Sequence, residues 1–520
     1  MIAANHQTTK PPNYQTMSLG RRDFIKTAVA FGAAGPALAH GASAPNLRVG
    51  ILSDIHVTAL SNADWFEKAL RYFDGRKVDA VFIAGDLTTR NKLPEFEAVA
   101  TTWFKVFPGD RRSDGAPVVR LFITGNHDVD GFATAGAKFK TREEAEPVSF
   151  FFHRDEFWRR LFHEGYEPIC ARTVKGYTFI LRNWHSRIGH PRLKAGDKYP
   201  LAVGLPVEPN PAPGFLAKVA PTLPGDRPFF YAQHEPLGGT VNLSSSRPFD
   251  DTAKVLAAFP NALALSGHSH FSLTDERSIW QGAFTAVNCS CARGYAFTPP
   301  GRENGHSTAD ANRKPPFEMG MFDFKRVKQG MVMDVYDDRI TFHRREFVCD
   351  RQLGPDWTVP LFGGRTVPQN GTPKYDFAAR AAAARAPVFP ANAEVSVAEI
   401  DNGHRRDKSG KKLDPKPRKQ VIVSFPPVVT GAVSPSRGFE FTVTAEMRVA
   451  DKTQTVQEKR VFSPNAYMAE EEDVEPVTCA FARADIPKRR DVRFVVCPID
   501  CWGKKGSPIA SPWRRFGAST

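Results

Sequence analysis

The chain predicts a layered α/β core followed by a smaller all-β sandwich, and three observations carry that prediction. Five short runs, LRVGILSDIH, DAVFIAGDL, VVRLFITGNHD, RPFFYAQHEP and NALALSGHSH, are nearly continuous in apolar residues before turning polar. This is the pattern of strands buried on both faces. Helical patterns lie between them, so strand alternates with helix as in a layered α/β fold. Beyond residue 395 short strands recur at the spacing of a sandwich.

Taken in order, residues 1–44 stand apart. GRRDFIK sets Arg21 and Arg22 ahead of the apolar run TAVAFGAAGPALA, which ends in the small-residue sites Ala37-Leu38-Ala39 and Ala42-Ser43-Ala44. The pattern resembles a bacterial twin-arginine signal, which implies export to the periplasm or the medium, often after folding and metal loading. Residues 45–354 hold the α/β core. NADWFEKALRYFDG and LPEFEAVATTWFKVF read as amphipathic helices, with Trp65, Leu70 and Phe73 at helical spacings in the first. FFHRDEFWRRLFHEG is a further helix and YTFILRNWH a strand. QGMVMDVYDDRITFHRREF is a hairpin turning at Asp337 and Asp338. Residues 355–395, rich in Pro and Gly around one Ala-rich helix, read as a linker. Residues 396–520 form the sandwich, from EVSVAEI, KQVIVSF, GFEFTVTAEMRV, PVTCAFAR and VRFVVCPID. They weakly resemble a fibronectin type III or immunoglobulin-like module and carry no visible catalytic set.

Composition narrows the function classes. A hydrophobic fraction of 41% with 40 Phe supplies large cores and excludes a disordered chain. After residue 45 no segment approaches the ~20 apolar residues of a membrane span. The net charge of +14 favours anions: phosphate compounds, an anionic polymer or an acidic surface. The excess outlasts the leader, where Lys10, Arg21, Arg22 and Lys26 face only Asp23. Nucleic acid is disfavoured, since no module interleaves aromatic and basic residues. HRRDKSGKKLDPKPRK reads as a solvated basic loop. Seven cysteines leave at least one unpaired if the others form disulfides. A hairpin centred on Lys488 would face Cys479 with Cys497, Cys501 being an equally available partner.

The chemistry lies at the five strand ends. They supply Asp54 and His56, Asp86, Asn126 with His127 and Asp128, His234, and His268 with His270. In extended chain, positions two apart point the same way, so Asp54 and His56 can share a site, as can His268 and His270. Loops at the carboxyl ends of strands in an open α/β sheet converge on one crevice. Carboxylate, imidazole and carboxamide make a ligand set suited to manganese, iron or zinc. Taken singly, Asp-x-His or Gly-Asp is ordinary turn chemistry; five such elements in order are not.

In that order they resemble the calcineurin-like metallophosphoesterase superfamily, with the string DxH, GD, GNH(D/E), H, GHxH complete. The resemblance implies a layered β-sandwich flanked by helices and two divalent or trivalent metal ions. It places Asp54, His56 and His270 on one metal and Asn126, His234 and His268 on the other, with Asp86 bridging. His127 then acts on the leaving group and Asp128 orients it. The implied reaction is attack of metal-bound hydroxide on a phosphomonoester or phosphodiester, since two cations offset the anionic charge of the ester. Thr89 stands where purple acid phosphatases carry a ligand tyrosine three residues after the bridging aspartate, so a purple iron enzyme is not expected. The rivals are a surface-binding protein on an inactive scaffold, or a nuclease. His185 in RNWHS is an ordinary strand-end histidine or a substrate contact. Specificity is expected from the insert around residues 135–215.

Overall fold

Three strands buried along nearly their whole length, β1 (Leu47–Leu52), β2 (Ala80–Ala84) and β3 (Val119–Ile123), run parallel, with Val49 opposite Ala80 and Ala80 opposite Val119. The computed structural model describes residues 44–133, 139–186, 201, 205, 208–242, 244, 248–292, 317–318, 328–401, 403, 419–429, 434, 436–462 and 476–517. Arg21 and Arg22, part of the 135–215 insert and the basic loop at 404–418 lie outside the described residues.

The next strands are β4 (Ile169–Val174), β5 (Tyr177–Arg182), β6 (Phe229–Ala232), β7 (Ala262–Ser266), β8 (Ile279–Gln281) and β9 (Thr285–Asn288). They form a second sheet in the order β4-β5-β6-β7-β9-β8. After β10 (Phe317–Glu318), the strands β11 (Gln329–Val335), β12 (Arg339–Glu346), β13 (Arg351–Gln352) and β14 (Trp357–Pro360) complete the first sheet. Its order is β13-β12-β11-β1-β2-β3, with β14 also on β12. The expected hairpin is β11 with β12, turning through Asp337 and Asp338. Because β14 pairs with β12, the start of the expected linker belongs to this sheet.

The two sheets face each other across one core, where Val49, Ile51 and Phe82 of the first meet Phe179, Leu181, Phe230 and Leu263 of the second. Helices Asp64–Gly75 and Leu93–Val106 cover the outer face of the first sheet, burying Phe66, Leu70, Phe73, Phe96 and Trp103 against Leu52, Val81 and Ile83. Helices Ala212–Val219 and Asp251–Leu256 cover the second through Leu216 and Leu256. Each such side chain contributes ~1.5–3 kcal/mol of burial. The result is helix, sheet, sheet, helix, with the parallel strands of both sheets delivering their carboxyl ends to one edge.

The C-terminal strands are β15 (Ser396–Asp401), β16 (Lys419–Phe425), β17 (Glu440–Val449), β18 (Lys452–Phe462), β19 (Val477–Ala482), β20 (Asp491–Ile499), β21 (Ile509–Ala510) and β22 (Arg514–Arg515). One sheet is β15-β16-β19 and the other β10-β18-β17-β20-β21, with β22 on β20. Phe425, Phe441, Phe481 and Phe494 share the core of these strands. The hairpin expected about Lys488 is not formed: β19 pairs with β16 and β20 with β17, so Cys479 and Cys497 belong to different sheets.

Candidate metal centre

Asp54 and His56 follow β1, Asp86 follows β2, Asn126 follows β3, His234 follows β6, and His268 and His270 follow β7. The two sheets therefore deliver every expected ligand to one place. They do not do so through extended chain. Asp54, His56, Asp86, His268 and His270 all have left-handed backbone, with φ of 50°, 46°, 52°, 63° and 55°. This corrects the expectation that a shared strand direction aligns each pair. Left-handed backbone costs a non-glycine residue roughly 1–2 kcal/mol, and such strain persists where the surroundings over-determine it. Here the loops are tied together by backbone bonds from Asp54 N to Gly85 O (3.0 Å) and His56 N to Asp86 O (2.9 Å).

The carboxylates are divided in their work. Asp54 Oδ2 accepts from the Ser53 hydroxyl at 2.5 Å and from the His268 N–H at 2.9 Å. Asp54 Oδ1 is buried without an aligned donor; it lies 2.9 Å from His270 Nε2 and 4.0 Å from His56 Nε2. Asp86 Oδ1 accepts from the His127 N–H at 2.8 Å. Its Oδ2 lies 3.6 Å from His56 Nε2 and 3.3 Å from His234 Nε2. One oxygen thus stands between two groups of donors.

The first group is Asp54, His56, Asp86 and His270, whose ligand atoms all lie within 4.8 Å of one another. The second is a triangle: Asn126 Oδ1 to His268 Nδ1 at 2.9 Å, Asn126 Oδ1 to His234 Nε2 at 3.1 Å, and His268 Nδ1 to His234 Nε2 at 3.3 Å. Donors ~2.1 Å from one cation stand ~3.0–3.4 Å apart in octahedral or tetrahedral arrangement, so the triangle has the dimensions of a coordination face. The His234 Nδ1–H donates to the carbonyl of Ala84 at 2.7 Å. That fixes the tautomer with Nε2 turned inward, the outer bond expected of a metal-binding histidine.

Charge tells the same story. Burial pulls His56 down to about 3, and burial followed by the charge of His234 pulls His268 down to about 4, so both keep lone pairs available. Burial also opposes charge on His234, but Asp86 and Asp54 outweigh it and hold that ring up at about 9. Burial would raise both carboxyls; the histidines beside them hold both below the ordinary range. Two buried carboxylates kept ionised among inward-turned imidazole nitrogens make a donor set that fits a metal.

Two glycines are explained by proximity. A Cβ on Gly267 would stand 1.9 Å from Ser53 Oγ and 2.5 Å from Asp54 Oδ2, and one on Gly125 would stand 2.2 Å from Asp86 Oδ1. Gly125 has extended backbone with φ −109°, so space rather than a tight turn requires glycine there.

The family model for calcineurin-like phosphoesterases matches residues 47–272, which contain all of these ligands. This chain carries a calcineurin-like phosphoesterase domain. The phosphoesterase is a metal-dependent hydrolase of phosphate esters by family and by its buried cluster. Among solved structures it is similar to a dimetal phosphatase from Danio rerio (12% identity, 61% of this chain and 99% of that one, TM-score 0.34). Others are the phosphoesterase Yfce from E. coli (13%, 60% and 98%, 0.25) and purple acid phosphatase PPD1 from yellow lupin (10%, 60% and 54%, 0.34). A search of curated proteins found no match.

One expected role is corrected in the phosphoesterase. No hydrogen bond joins the Asp128 carboxylate to the His127 ring. Its carboxylate accepts from the backbone N–H groups of Leu87 (3.0 Å), Thr88 (2.7 Å) and Gly125 (2.8 Å) and from the Thr88 hydroxyl (2.9 Å). It clamps the loop after β2 to the loop after β3. Burial, then the charge of Asp86, pushes Asp128 up to about 7 against those donors. The group that holds His127 is the carbonyl of Thr89, 2.8 Å from Nδ1. Since a carbonyl only accepts, Nδ1 carries the proton. The His127 ring stands edge-on to His56, with centroids 4.8 Å apart.

Further partners carried no motif. Ser53 anchors Asp54; Cys291 is buried, and its thiol donates to the Asp54 carbonyl at 3.5 Å. Trp184 lies along His268 with ring planes 26° apart, and its Nε1–H donates to Asp130 at 2.8 Å. His185 is buried, and Arg182 donates both to its Nδ1 and to Gln233, the neighbour of His234.

Proposed function

We propose that the protein hydrolyses a phosphomonoester or phosphodiester at a dinuclear centre. Asp54, His56, Asp86 and His270 would hold one metal, and Asp86, Asn126, His234 and His268 the other. The observation that carries this is the place of Asp86 Oδ2, 3.6 Å from a histidine of the first group and 3.3 Å from one of the second. When bound, such a pair neutralises the charge on the ester oxygens and acidifies water.

The chain's own residues supply the rest of the reaction. The Thr89 carbonyl holds Nδ1 of His127 and leaves Nε2 to face the ester, where it gives a proton to the departing oxygen. Such transfer is typically worth 10²–10⁴-fold. Asp128 keeps the two loops in register, so His127 and Asp86 stay joined through the 2.8 Å bond from the His127 N–H. Trp184 lies against the imidazole of His268 and limits how that ring can turn.

The double arginine ahead of an apolar run supports export to the periplasm or the medium. The test is chelator-treated protein reconstituted with manganese, iron or zinc and assayed on p-nitrophenyl and bis-p-nitrophenyl phosphate. Metal-dependent turnover of either supports the proposal; full turnover after exhaustive chelation opposes it.

A further inference from the structure

Arg182, the last residue of β5, is buried, with 3% of its surface exposed. Long cationic side chains are rarely buried without an acid, yet among the described residues no carboxylate pairs with this one. Its guanidinium serves neutral groups on two different loops instead. One terminal nitrogen donates to Gln233 Oε1 at 2.7 Å, just after β6, and the other to Nδ1 of His185, just after β5. Since β5 runs parallel to β6, Arg182 stands at the edge to which the sheets deliver the metal ligands.

A guanidinium only donates, so Arg182 fixes the Gln233 amide with its oxygen turned towards the arginine. The Tyr231 hydroxyl donates to the same oxygen at 2.9 Å. The amide nitrogen is thereby turned the other way, where it donates to the carbonyl of Glu235 at 2.6 Å. A side chain on the residue before His234 is thus bonded to the residue after it, and the backbone of His234 lies inside that closed loop. On the other arm, His185 adjoins Trp184, whose ring stands edge-on to His234 (81°, centroids 5.9 Å apart) and nearly parallel to His268 (26°). Both arms therefore lead to the triangle of Asn126, His234 and His268. Among the described residues no hydrogen bond joins Arg182 or the Gln233 side chain to Asp54, His56, Asp86 or His270.

From these bonds we infer that Arg182 is a positioning residue for one half of the metal centre: through Gln233 it closes the turn that aims His234, and through His185 it steadies the loop whose tryptophan lies against His234 and His268. The inference rests on the proposed dinuclear centre. Without Arg182 the Gln233 amide keeps the Tyr231 hydroxyl as its donor and can rotate away from Glu235. His234 then loses the closed turn and retains the bond from its Nδ1 to the Ala84 carbonyl. The half held by Asp54, His56 and His270 keeps its geometry.

The test is titration of the chelator-treated full chain with manganese, followed by calorimetry and by electron paramagnetic resonance, which separates single ions from magnetically coupled pairs. Wild-type protein should take up two ions and give the coupled signal. Arg182→Met should bind the first ion within about threefold of wild type and the second about tenfold or more weakly, the loss typical of an outer bond to a metal ligand. It should therefore give the uncoupled signal at manganese concentrations that saturate wild type, and its retained first ion shows that the fold is intact. Arg182→Lys, which keeps one donor, should recover part of the second affinity. Gln233→Glu keeps an acceptor for Arg182 and removes the donor to Glu235, so it should weaken the second ion without lowering the unfolding midpoint, which a merely structural role would not do. If Arg182→Met does not fold, Gln233→Glu decides the matter alone. Uptake of one ion by wild type would overturn the dinuclear proposal and this inference with it. With two ions in wild type, equal weakening of both ions by these variants, or an unchanged second ion, would overturn the inference alone.

Discussion

Nδ1 of His127 lies 2.8 Å from the carbonyl oxygen of Thr89, so a backbone group, and not the neighbouring Asp128, fixes the direction in which His127 presents its other nitrogen. The two consecutive residues therefore do different work, and their substitution should separate. His127→Ala should lower kcat by ~10²–10⁴ for an alkyl ester and far less for a nitrophenyl ester, whose leaving group needs no proton. Thermal unfolding should hardly change. An equal loss on both esters would exclude proton transfer.

Asp128→Ala removes the acceptor of three backbone N–H groups and leaves them buried. The expected cost is about 2–4 kcal/mol of stability, read as a lower denaturation midpoint. Asp128→Asn, which keeps an acceptor oxygen, should recover part of it. A stable but inactive Asp128→Ala protein would instead restore the orienting role.

Ser53 and Gly267 test how Asp54 is aimed. Ser53→Ala removes the 2.5 Å bond to Asp54 Oδ2, and loss of such an outer bond typically lowers metal affinity 10–100-fold. Gly267→Ala forces a methyl group against the same two residues and should do at least as much damage. Metal titration followed by calorimetry gives both values; unchanged affinity in Ser53→Ala would show that Asp54 needs no anchor.

Away from the site, His343 bonds Asp334 at 3.3 Å and Asp356 at 2.8 Å. Those two bonds hold it up at about 9. Burial acts to raise Asp334, but Arg48 and then His343 hold it down at about 2. A histidine raised in the folded state adds stability that is complete below its unfolded value of ~6.5 and lost as pH rises through about 9. The depressed Asp334 adds stability that is complete above ~3.9 and lost as pH falls towards about 2. His343→Gln should therefore destabilise the protein at pH ~6 and have little effect at pH ~10. Urea unfolding at the two pH values checks this, and a cost independent of pH would contradict it.

Much of this was legible because the chemistry sits at strand ends. A buried strand must stop where Asp54, Asp86 or His234 begins, so the hydrophobic pattern and the ligand set mark the same positions. The arrangement of the loops was not legible. Left-handed backbone at five ligands is imposed by contacts between loops distant in sequence, and nothing local announces it. Asp128 was misassigned because its partners, Leu87 and Thr88, stand some forty residues earlier. β18 escaped notice because its first four residues, Lys452–Thr455, are polar and exposed and the strand carries little alternation, so its pairing with β17 supplies what its own pattern lacks. The hairpin about Lys488 failed for the opposite reason: local symmetry suggested a pairing that the division into two sheets forbids.

The bridging place of Asp86 is the central claim, and metal stoichiometry measured on the same preparation as activity tests it most directly. Elemental analysis of the active protein should find about two metal ions per chain. Asp86→Ala should retain fewer than one and lose about three orders of magnitude in turnover, as removal of several kcal/mol of charge stabilisation requires. Full activity with a single equivalent of metal, or undiminished turnover by Asp86→Ala, would contradict the account.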